Sequence, residues 1–498
     1  MDFLDPRKKR AHKIRLIVGY FLIAIVIGLS TIILVYGAYG YGINTKTGQI
    51  IENGLLFVDS KPGGADIYLN GTKQSGKTAA RLVLAAGDYT LSIRKSGYHS
   101  WQRSFVLDEH TISRYVYPFL FPVKPQLTSL KTYTGLPILS TESPDRHWLL
   151  VQSETTTDTL SFDEYDTGTL SQAPLLVALP KNVLTTSADL GTFKEVEWST
   201  DNNHLLLERT YSGGHEFIVL NRDKPDQSFN VNKLFNVTPA QVALRNKKAD
   251  QLYLYNTDGS LQVGDVGQVI LAPPFLKNVL AFKPYGSSLI SYVTDVGAPA
   301  GKVTAKIWDD GKTYPMYTFT PGSKYLLDIA QFQNHFYYVA GSNTANRINV
   351  FKDPEDYIRN PSYRKAVPLI ALDELGATDV NFSDNTRFIG VQAGQNLAVY
   401  DLETQDAYRY AIKSPIAGPL SWMDGHRFIG QSGNSVYVVD YDNTNAVLVT
   451  STVYSKGGFF SQDYNQLITF APVEGSASVT LTRVDLRAGT DLPANGKQ

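Results

Sequence analysis

The sequence predicts a mainly β protein with one N-terminal transmembrane helix, a small β-sandwich and a β-propeller of about eight blades, with seven blades as the alternative. Three observations support this fold class. An uncharged apolar stretch of 24 residues, Leu16–Tyr39, lies near the N-terminus. The chain is rich in Tyr and Gly, with 30 and 39 residues, as expected for sheets joined by many turns. A unit of about 45 residues recurs over residues 127–490.

The apolar stretch is long enough to cross a membrane. As a helix it spans roughly 36 Å, against a hydrocarbon core of about 30 Å. Six basic residues precede it, at positions 7–10, 13 and 15, whereas single charges, Lys46 and Glu52, follow it. The positive-inside rule therefore predicts a cytoplasmic tail at 1–15, a signal anchor in the cell membrane at 16–39 and an extracytoplasmic C-terminal body. A cleaved signal peptide is the alternative, because Ala38-Tyr39-Gly40 offers a small-x-small site.

Charge and cysteine content exclude several function classes. Beyond residue 15 the chain carries 40 basic and 45 acidic residues, so nucleic acid is not expected as a partner. The chain has no cysteine. It therefore has no disulfide framework, thiolate metal site or cysteine nucleophile, and its stability must come from packing.

Residues 54–122, after a linker at 40–53, predict a small antiparallel sandwich. Short apolar runs alternate with turn residues such as Pro62-Gly63-Gly64, Asn70-Gly71 and Ser96-Gly97. The predicted strands cover residues 55–58, 66–69, 81–84, 89–93 and 104–107.

These turns resemble the PEGA domain family, a sandwich module of bacterial and archaeal surface proteins. The matching segments are Pro62-Gly63-Gly64-Ala65, Asn70-Gly71, Gly76-Lys77-Thr78, Gly87-Asp88-Tyr89 and Gly97-Tyr98. Two turn positions depart from the family pattern: Gly63 stands where Glu is usual, and Ala79 where Pro is usual. The resemblance implies a non-catalytic envelope module.

Residues Gly71–Thr78 match the phosphate-binding pattern G-x-x-x-x-G-K-[ST], in which Lys77 would neutralise phosphates. That site needs a helix directly after the loop and a parallel sheet. Too few residues separate Thr78 from Gly87 for such a helix, and the next segment is again a strand. The sequence therefore favours a hairpin loop and no nucleotide partner.

The C-terminal region 127–490 repeats one unit. An aromatic or apolar residue precedes a polar turn, an apolar strand, a second turn and another strand. The eight copies start at positions 142, 198, 244, 282, 332, 382, 422 and 460. Four strand-length pieces every 45 residues or so are typical of propeller blades.

Each copy also ends one strand in Asp or Asn, residue types that suit turns. These residues lie at positions 166, 221, 265, 309, 353, 401, 440 and 485. The Ser-Pro-Asp turn at 143–145 resembles the blade repeat of periplasmic Tol-system and WD-type propellers. That resemblance covers the repeat alone and identifies no particular function.

The candidate metal ligands favour structural interpretations. His147, His204 and His426 each lie in or just after a first turn, so we expect them to be far apart around the ring rather than at one metal. Asp440–Thr444 has alternating oxygen ligands but lacks the Gly and the bidentate Glu of a calcium loop. No G-x-S-x-G elbow occurs. The sequence thus predicts no catalytic, cofactor or metal residues and no cofactor.

These features favour a non-enzymatic, membrane-anchored binding or scaffold protein of the cell envelope, with a propeller face for envelope proteins or cell-surface glycans. The alternative is a propeller-type hydrolase or lyase acting on cell-wall polysaccharide or peptide. Convergence of carboxylates and histidines from several blades in the central mouth would favour that alternative. Trp198, Phe382 and Trp422 are expected to pack blades together rather than to contact ligand.

Overall fold

The structure is a computed structural model that describes residues 6–38, 41–43, 50–153, 159–345, 347–359 and 366–491. The chain divides into two compact units, Met1–Phe121 and Pro122–Gln498. Parts of the expected cytoplasmic tail, anchor and linker, at residues 1–5, 39–40 and 44–49, lie outside the described residues. So do residues 492–498 of the short C-terminal tail that the sequence predicts at 491–498.

Helix α1 spans Pro6–Ala38. Within it, His12–Tyr36 is long and apolar enough to cross a membrane, and it is the one such helix in the described part of the chain. Large apolar side chains such as Ile17, Phe21 and Leu34 are exposed along it. Exposing so much apolar surface to water is unfavourable, so the helix suits a lipid environment. A signal sequence would share these properties.

The described residues of the first unit also contain eight strands. They are β1 Tyr41–Ile43, β2 Ile50–Val58, β3 Asp66–Leu69, β4 Thr72–Lys77, β5 Ala80–Ala85, β6 Gly87–Arg94, β7 Trp101–Leu107 and β8 Ile112–Tyr115. One sheet has the order β1-β2-β5, with β8 paired to β2, and the other has the order β4-β3-β6-β7. Each of the five runs predicted from the sequence lies within a strand.

Both sheets bury alternate apolar residues, including Leu56 in β2 and Ile67 in β3. The sheets approach closely at Gly54, where an added Cβ would lie 2.6 Å from Leu107 Cγ and 2.8 Å from the Asp108 carbonyl oxygen. A side chain at position 54 would therefore push β2 away from the end of β7.

Two details of this unit differ from the sequence prediction. Strand β8 pairs parallel to β2, with Leu55 opposite Ile112, so the sandwich is not purely antiparallel. The reason is that the chain passes from one sheet to the other between β7 and β8, and no hairpin fixes the direction of β8. Residues 72–77, expected as a loop, form the edge strand β4, paired with β3.

The described residues of the second unit form eight four-stranded antiparallel sheets, numbered here in chain order. Sheets 1 to 4 contain, in turn, β10–β13 (Ser140–Glu142, Trp148–Gln152, Ser161–Asp166, Leu175–Ala178), β14–β17 (Thr192–Trp198, His204–Tyr211, Gly214–Asn221, Phe229–Asn230), β18–β21 (Gln241–Leu244, Gln251–Tyr255, Leu261–Asp265, Ile270–Leu271) and β22–β25 (Ala281–Tyr285, Leu289–Thr294, Val303–Asp309, Lys312–Phe319).

Sheets 5 to 8 contain β26–β29 (Tyr325–Phe332, His335–Ser342, Ile348–Lys352, Ile370–Leu372), β30–β33 (Asp379–Phe382, Phe388–Ala393, Asn396–Asp401, Ala407–Ala411), β34–β37 (Ser421–Trp422, Arg427–Ser432, Ser435–Asp440, Val447–Ser451) and β38–β40 with β9 (Phe459–Phe460, Gln466–Pro472, Val479–Asp485, Gln126–Tyr133). Two short helices, α2 (Val231–Phe235) and α3 (Pro354–Ile358), lie in connections.

Neighbouring sheets pack face to face around a ring. One apolar cluster joins sheets 1 and 2 through residues such as Phe162 and Leu207. Another joins sheets 8 and 1 through Phe470 and Leu149. Strand β9 precedes sheet 1 in sequence but pairs with β40, so the two ends of the ring meet in sheet 8. The expected β-propeller is therefore confirmed.

The repeat signals have a physical origin in the turns. In sheet 1, the Ser143 hydroxyl donates to the Asp145 carboxylate (2.5 Å), and this carboxylate accepts the backbone N–H of His147 (3.0 Å). The same turn recurs with Asp463 in sheet 8, which accepts the N–H of Asn465 at 2.9 Å. A short side chain that caps the backbone in this way holds the tight turn after the first strand in sheets 1, 2, 6, 7 and 8.

Candidate axial binding site

The turns after the first strands meet at the axis of the propeller. Arg146, in the turn of sheet 1, donates to Asp384 in the turn of sheet 6 and to the Met423 carbonyl of sheet 7 (3.2 Å). Its guanidinium also lies 4.7 Å from the ring centre of Tyr464, in the turn of sheet 8. The expectation that equivalent turns lie far apart was therefore wrong here. The first strands are the innermost ones, and Arg146 is long enough to reach across.

Two neighbouring cavities open at this axis. One has a volume of about 740 Å³ and the other about 190 Å³. Their walls share Glu142, Glu195 and Trp422. We call the two cavities together the axial pocket. Its walls come from sheets 1, 2, 6, 7 and 8 and from the connections at Lys247 and Lys456, and their charged residues are Glu142, Arg146, Glu195, Glu197, Lys247, Asp384 and Lys456.

Some of these charges form pairs within the pocket wall. Arg146 pairs with Asp384. Lys247 pairs with Glu197, which also accepts the backbone N–H of Leu244. These four side chains fix the turns relative to one another. Their charges are already compensated, so they are weaker candidates for binding a charged ligand.

Glu142 is the least satisfied of the axial carboxylates. Its Oε1 lies 4.0 Å from Arg146 Nε, which is too far for a hydrogen bond. Its Oε2 is buried and has no hydrogen-bond partner among the described residues. Burial raises the pKa of Glu142 to about 8, although Arg146 and the Phe460 backbone N–H lower it. The carboxyl is therefore largely protonated at neutral pH.

Glu195 lies beside it on the first strand of sheet 2. Burial raises the pKa of Glu195, and this effect exceeds the opposing influence of Lys456 and of a hydrogen bond from the Thr141 hydroxyl. A β-bulge interrupts the pairing of β14 between Glu195 and Glu197. The bulge lets consecutive residues 195–197 line the pocket.

The three aromatic residues singled out in the repeat, Trp198, Phe382 and Trp422, have different surroundings. Trp198 is 6% exposed, belongs to the core between sheets 1 and 2, and donates to the Thr141 hydroxyl (2.7 Å). Phe382 packs against the core of sheets 5 and 6. Trp422 is half-buried and stacks on Phe428 with ring centres 3.9 Å apart, but it also lines both axial cavities.

The histidines singled out in the sequence have structural neighbours. His147 lies 3.3 Å from Asp166, and His204 lies 2.7 Å from Asp201. His426 packs against Phe388, and burial lowers its pKa to about 4. Within the described parts of the chain, these three histidines form no group with metal-ligand spacing.

The other sequence candidates also have structural contacts. Gly71–Thr78 consists of a turn and strand β4 rather than a loop followed by a helix. In the Asp440–Thr444 turn, the Asp442 carboxylate accepts from the Thr444 backbone and hydroxyl, and Asp440 lies 3.4 Å from Arg427 Nε.

One group of side chains outside the propeller lies at metal-ligand spacing. Potential ligand atoms of Glu52, Glu109 and His110 are within 4.8 Å of one another. Sequence spacing could not reveal this group, because Glu52 is on β2 and the other two residues follow β7. All three side chains are at least partly exposed. This arrangement alone does not indicate a bound ion.

A further cavity, of about 750 Å³, lies beside sheets 1 and 8. Its buried Asp163 accepts from Lys131 Nζ and from the Tyr133 hydroxyl, both at 2.7 Å. Burial, reinforced by Tyr165 and Asp163, raises the pKa of Tyr133. The Asp163 carboxylate in this cavity is thus satisfied by two donors, whereas the buried Oε1 of Gln152 in the same wall has no hydrogen-bond partner among the described residues.

Sequence reasoning missed the axial pocket, although a signal was available. Glu142 stands at the first predicted repeat start, and Glu195 and Glu197 stand just before the second. In a propeller, residues at the end of each first strand face the axis. Acidic residues at equivalent places in adjacent repeats could therefore have been expected to converge.

Comparison with known proteins gave one family match and several similar solved structures. The PEGA domain family matches residues 53–116. Three solved structures each cover 73% of this chain: the Dos1 propeller (14% identity, 96% of its chain, TM-score 0.45), the computationally designed Ika8 protein (12%, 100%, 0.44) and U3-55K (10%, 100%, 0.37). No curated protein matches. Residues 53–116 therefore match the PEGA domain family, and the eight described four-stranded sheets make the second unit a β-propeller.

Proposed function

We propose that this protein is a single-pass, membrane-anchored binding protein of the cell envelope, with its body outside the cytoplasm and a ligand held in the axial pocket of the propeller. The observation that carries this proposal is the buried, unpartnered Glu142 oxygen at a pocket built from several sheets. A buried acceptor without a donor is costly unless a ligand or water supplies one. The apolar helix, its basic flank and the PEGA domain support the location.

A second candidate function is a hydrolase or lyase acting on cell-wall polysaccharide or peptide. Two carboxylates, Glu142 and Glu195, line the same cavity, and the raised pKa of Glu142 suits a general acid at neutral pH. No histidine lines the axial pocket in the described residues. The other axial charges are held in the Arg146–Asp384 and Lys247–Glu197 pairs, as suits a rigid binding pocket. Binding is therefore the preferred proposal.

The location is tested by protease protection. The charge asymmetry around α1 predicts that protease added to intact cells degrades the body, while a tag at the N-terminus stays protected. Replacing the six basic residues before the helix with neutral ones should scramble this orientation. Protection of both ends in intact cells would contradict the proposed location.

The binding role is tested by capture from solubilised envelopes, with the full chain in mild detergent as bait. Glu142→Gln and Glu195→Gln should reduce recovery of the captured envelope component at least several-fold. Glu474→Gln is the matched control. Glu474 is exposed and lies between β39 and β40, at the end of its sheet opposite the axial turns. Equal capture by all four proteins would contradict a ligand site in the axial pocket. Turnover of purified wall fragments that is lost in Glu142→Gln would favour the enzyme instead.

A further inference from the structure

The axial pocket contains more negative than positive side chains. Four carboxylates, those of Glu142, Glu195, Glu197 and Asp384, face three cationic side chains, those of Arg146, Lys247 and Lys456. The Arg146–Asp384 and Lys247–Glu197 pairs compensate four of these seven charges. What remains is Glu142 and Glu195 with the exposed Lys456. The pocket is therefore short of one cation whenever both carboxyls are ionised, and at neutral pH a proton on Glu142 stands in its place.

A missing hydrogen bond shows where in the pocket the additional cation would bind. Glu142 Oε2 is a buried acceptor with no donor among the described residues. Glu195 lines both cavities with Glu142, and its negative charge adds to the effect of burial in raising the pKa of Glu142. The half-buried indole of Trp422 forms an adjacent wall. Two carboxylates beside an aromatic ring are the surroundings that organic cations favour.

We propose that the axial pocket binds its ligand through a primary ammonium group, which donates hydrogen bonds to the carboxylates of Glu142 and Glu195. This inference rests on the proposed role of the propeller as a binding module. An ammonium supplies several donors and one positive charge in a small volume. A neutral hydroxyl would satisfy Glu142 Oε2 but would leave the charge deficit. A divalent metal ion would find two carboxylates but would be repelled by Arg146 and Lys456.

Two sources could present such a group: a lysine side chain of an envelope protein, or an amino sugar of a surface glycan. Both have the same ammonium chemistry. They differ in what surrounds the amine, so the test uses one probe of each kind. Nα-acetyl-lysine methylamide represents the protein source, and glucosamine represents the glycan source. Their Nε-acetylated and N-acetylated counterparts keep the shape but lose the charge.

Binding should depend on pH with a defined sign. Because the pKa of Glu142 is about 8 in the free protein, the ammonium must displace a proton from it at neutral pH. For the lysine probe, whose ammonium keeps its proton throughout this range, the affinity should therefore rise by about tenfold or more between pH 6.5 and 8.5 and level off above. The less basic amine of glucosamine loses its own proton over the same range, so the pH test uses the lysine probe. The charged and titratable groups near Glu142 and Glu195 are Arg146, Asp384, Tyr454, Tyr464, Lys247 and Lys456.

The experiment is calorimetric titration of the full chain in detergent with the four probes, at pH 6.5 and 8.5. One amine probe should bind, and its acetylated counterpart should bind at least tenfold more weakly. Glu142→Gln should lower the amine affinity at least tenfold and remove the pH dependence, and Glu474→Gln should change neither. Melting curves of the variants establish that they are folded.

Several outcomes would overturn the ammonium proposal. They are equal binding of amine and acetylated probes, no binding of either amine, or an amine affinity that Glu142→Gln leaves unchanged. The proposed function would survive these results if capture of envelope components still depended on Glu142 and Glu195. If capture did not depend on them either, both proposals would fall.

Discussion

Glu216→Leu is expected to lower the free energy of unfolding by about 3 to 5 kcal/mol, because it leaves a buried guanidinium without its counter-charge. Arg209 and Glu216 lie opposite each other on β15 and β16 of sheet 2. Their side chains are 0% and 2% exposed, and Arg209 Nη1 donates to Glu216 Oε1 at 2.7 Å. Chemical denaturation of the full chain in detergent measures the loss.

The rest of the network makes this pair hard to replace. The Arg209 guanidinium also donates to the carbonyls of Thr185 (2.8 Å) and Leu190 (2.7 Å). Glu216 accepts from the Thr185 hydroxyl and from Asn230 Nδ2 (2.6 Å). Every strong donor of the guanidinium therefore has a fixed acceptor. Removing the carboxylate leaves the two carbonyl contacts of the guanidinium in place, but its charge is then uncompensated, and Thr185 and Asn230 each lose an acceptor.

Two controls separate charge from packing. The double variant Arg209→Met/Glu216→Leu should regain part of the lost stability, because no unpaired charge remains. Lys194→Ala removes a largely exposed lysine 4.0 Å from Glu208 in the same sheet and should cost less than about 1 kcal/mol. A double variant no more stable than Glu216→Leu would contradict the charge argument.

The same pair predicts a pH dependence of stability. Burial alone would raise the pKa of Glu216, but hydrogen bonds from Thr185, Arg209 and Asn230 outweigh it, so the pKa is lowered from 4.5. A carboxyl with a lowered folded-state pKa contributes stability above its unfolded pKa. It loses that contribution as the pH falls through the folded pKa. Below pH 4.5 the difference in the free energy of unfolding between the wild type and Glu216→Leu should therefore become smaller.

Trp198→Ala is expected to cost about 3 to 5 kcal/mol, as for other large aromatic side chains in cores. Trp198 is 6% exposed and packs between sheets 1 and 2. Its removal would leave a cavity there, and the Thr141 hydroxyl oxygen would lose the hydrogen bond that it accepts from the indole N–H. Thermal and chemical unfolding measure the effect.

Trp422→Ala provides the comparison for this prediction. Both tryptophans line the larger axial cavity, but the Trp422 indole is half-buried whereas Trp198 is 6% exposed, so the loss of Trp422 should cost less stability. If Trp198→Ala left the melting temperature unchanged, Trp198 would not be a packing residue. If Trp422→Ala destabilised the protein as much as Trp198→Ala, the distinction between the two tryptophans would fail.

The sequence predicted most of the propeller because its repeat is encoded by local chemistry. All eight predicted starts fall within the first strand of a sheet, as at Glu142, Trp198 and Phe382. The Asp residues at the predicted strand ends also make side-chain contacts that the sequence alone did not reveal. Asp401 and Asp265 accept from Arg387 and Gln251, which lie at or next to the start of the preceding strand. The equivalent contact recurs in sheets 1, 5 and 7, between His147 and Asp166, His335 and Asp353, and Arg427 and Asp440. This recurrence of strand end and partner makes the period detectable.

Contacts between distant residues could not be predicted in this way. The Arg146–Asp384 pair joins residues 238 positions apart. The bulge that exposes Glu195 and Glu197 depends on pairing with β15 and not on any local pattern. The direction of β8 likewise follows from a crossing between sheets. The sequence therefore predicts the elements, whereas the axial pocket arises from the closure of the ring.

That closure also sets an order of events during synthesis. Strand β9 is made about 350 residues before β40, the strand with which it pairs through residues 126–133 and 479–485. Bringing such distant segments together is entropically costly and slow. Until then β9 presents an unpaired edge that could recruit other chains. A nascent chain that stalls before residue 479 would keep that edge open, so protection of β9 from proteolysis reports that the whole propeller has been made.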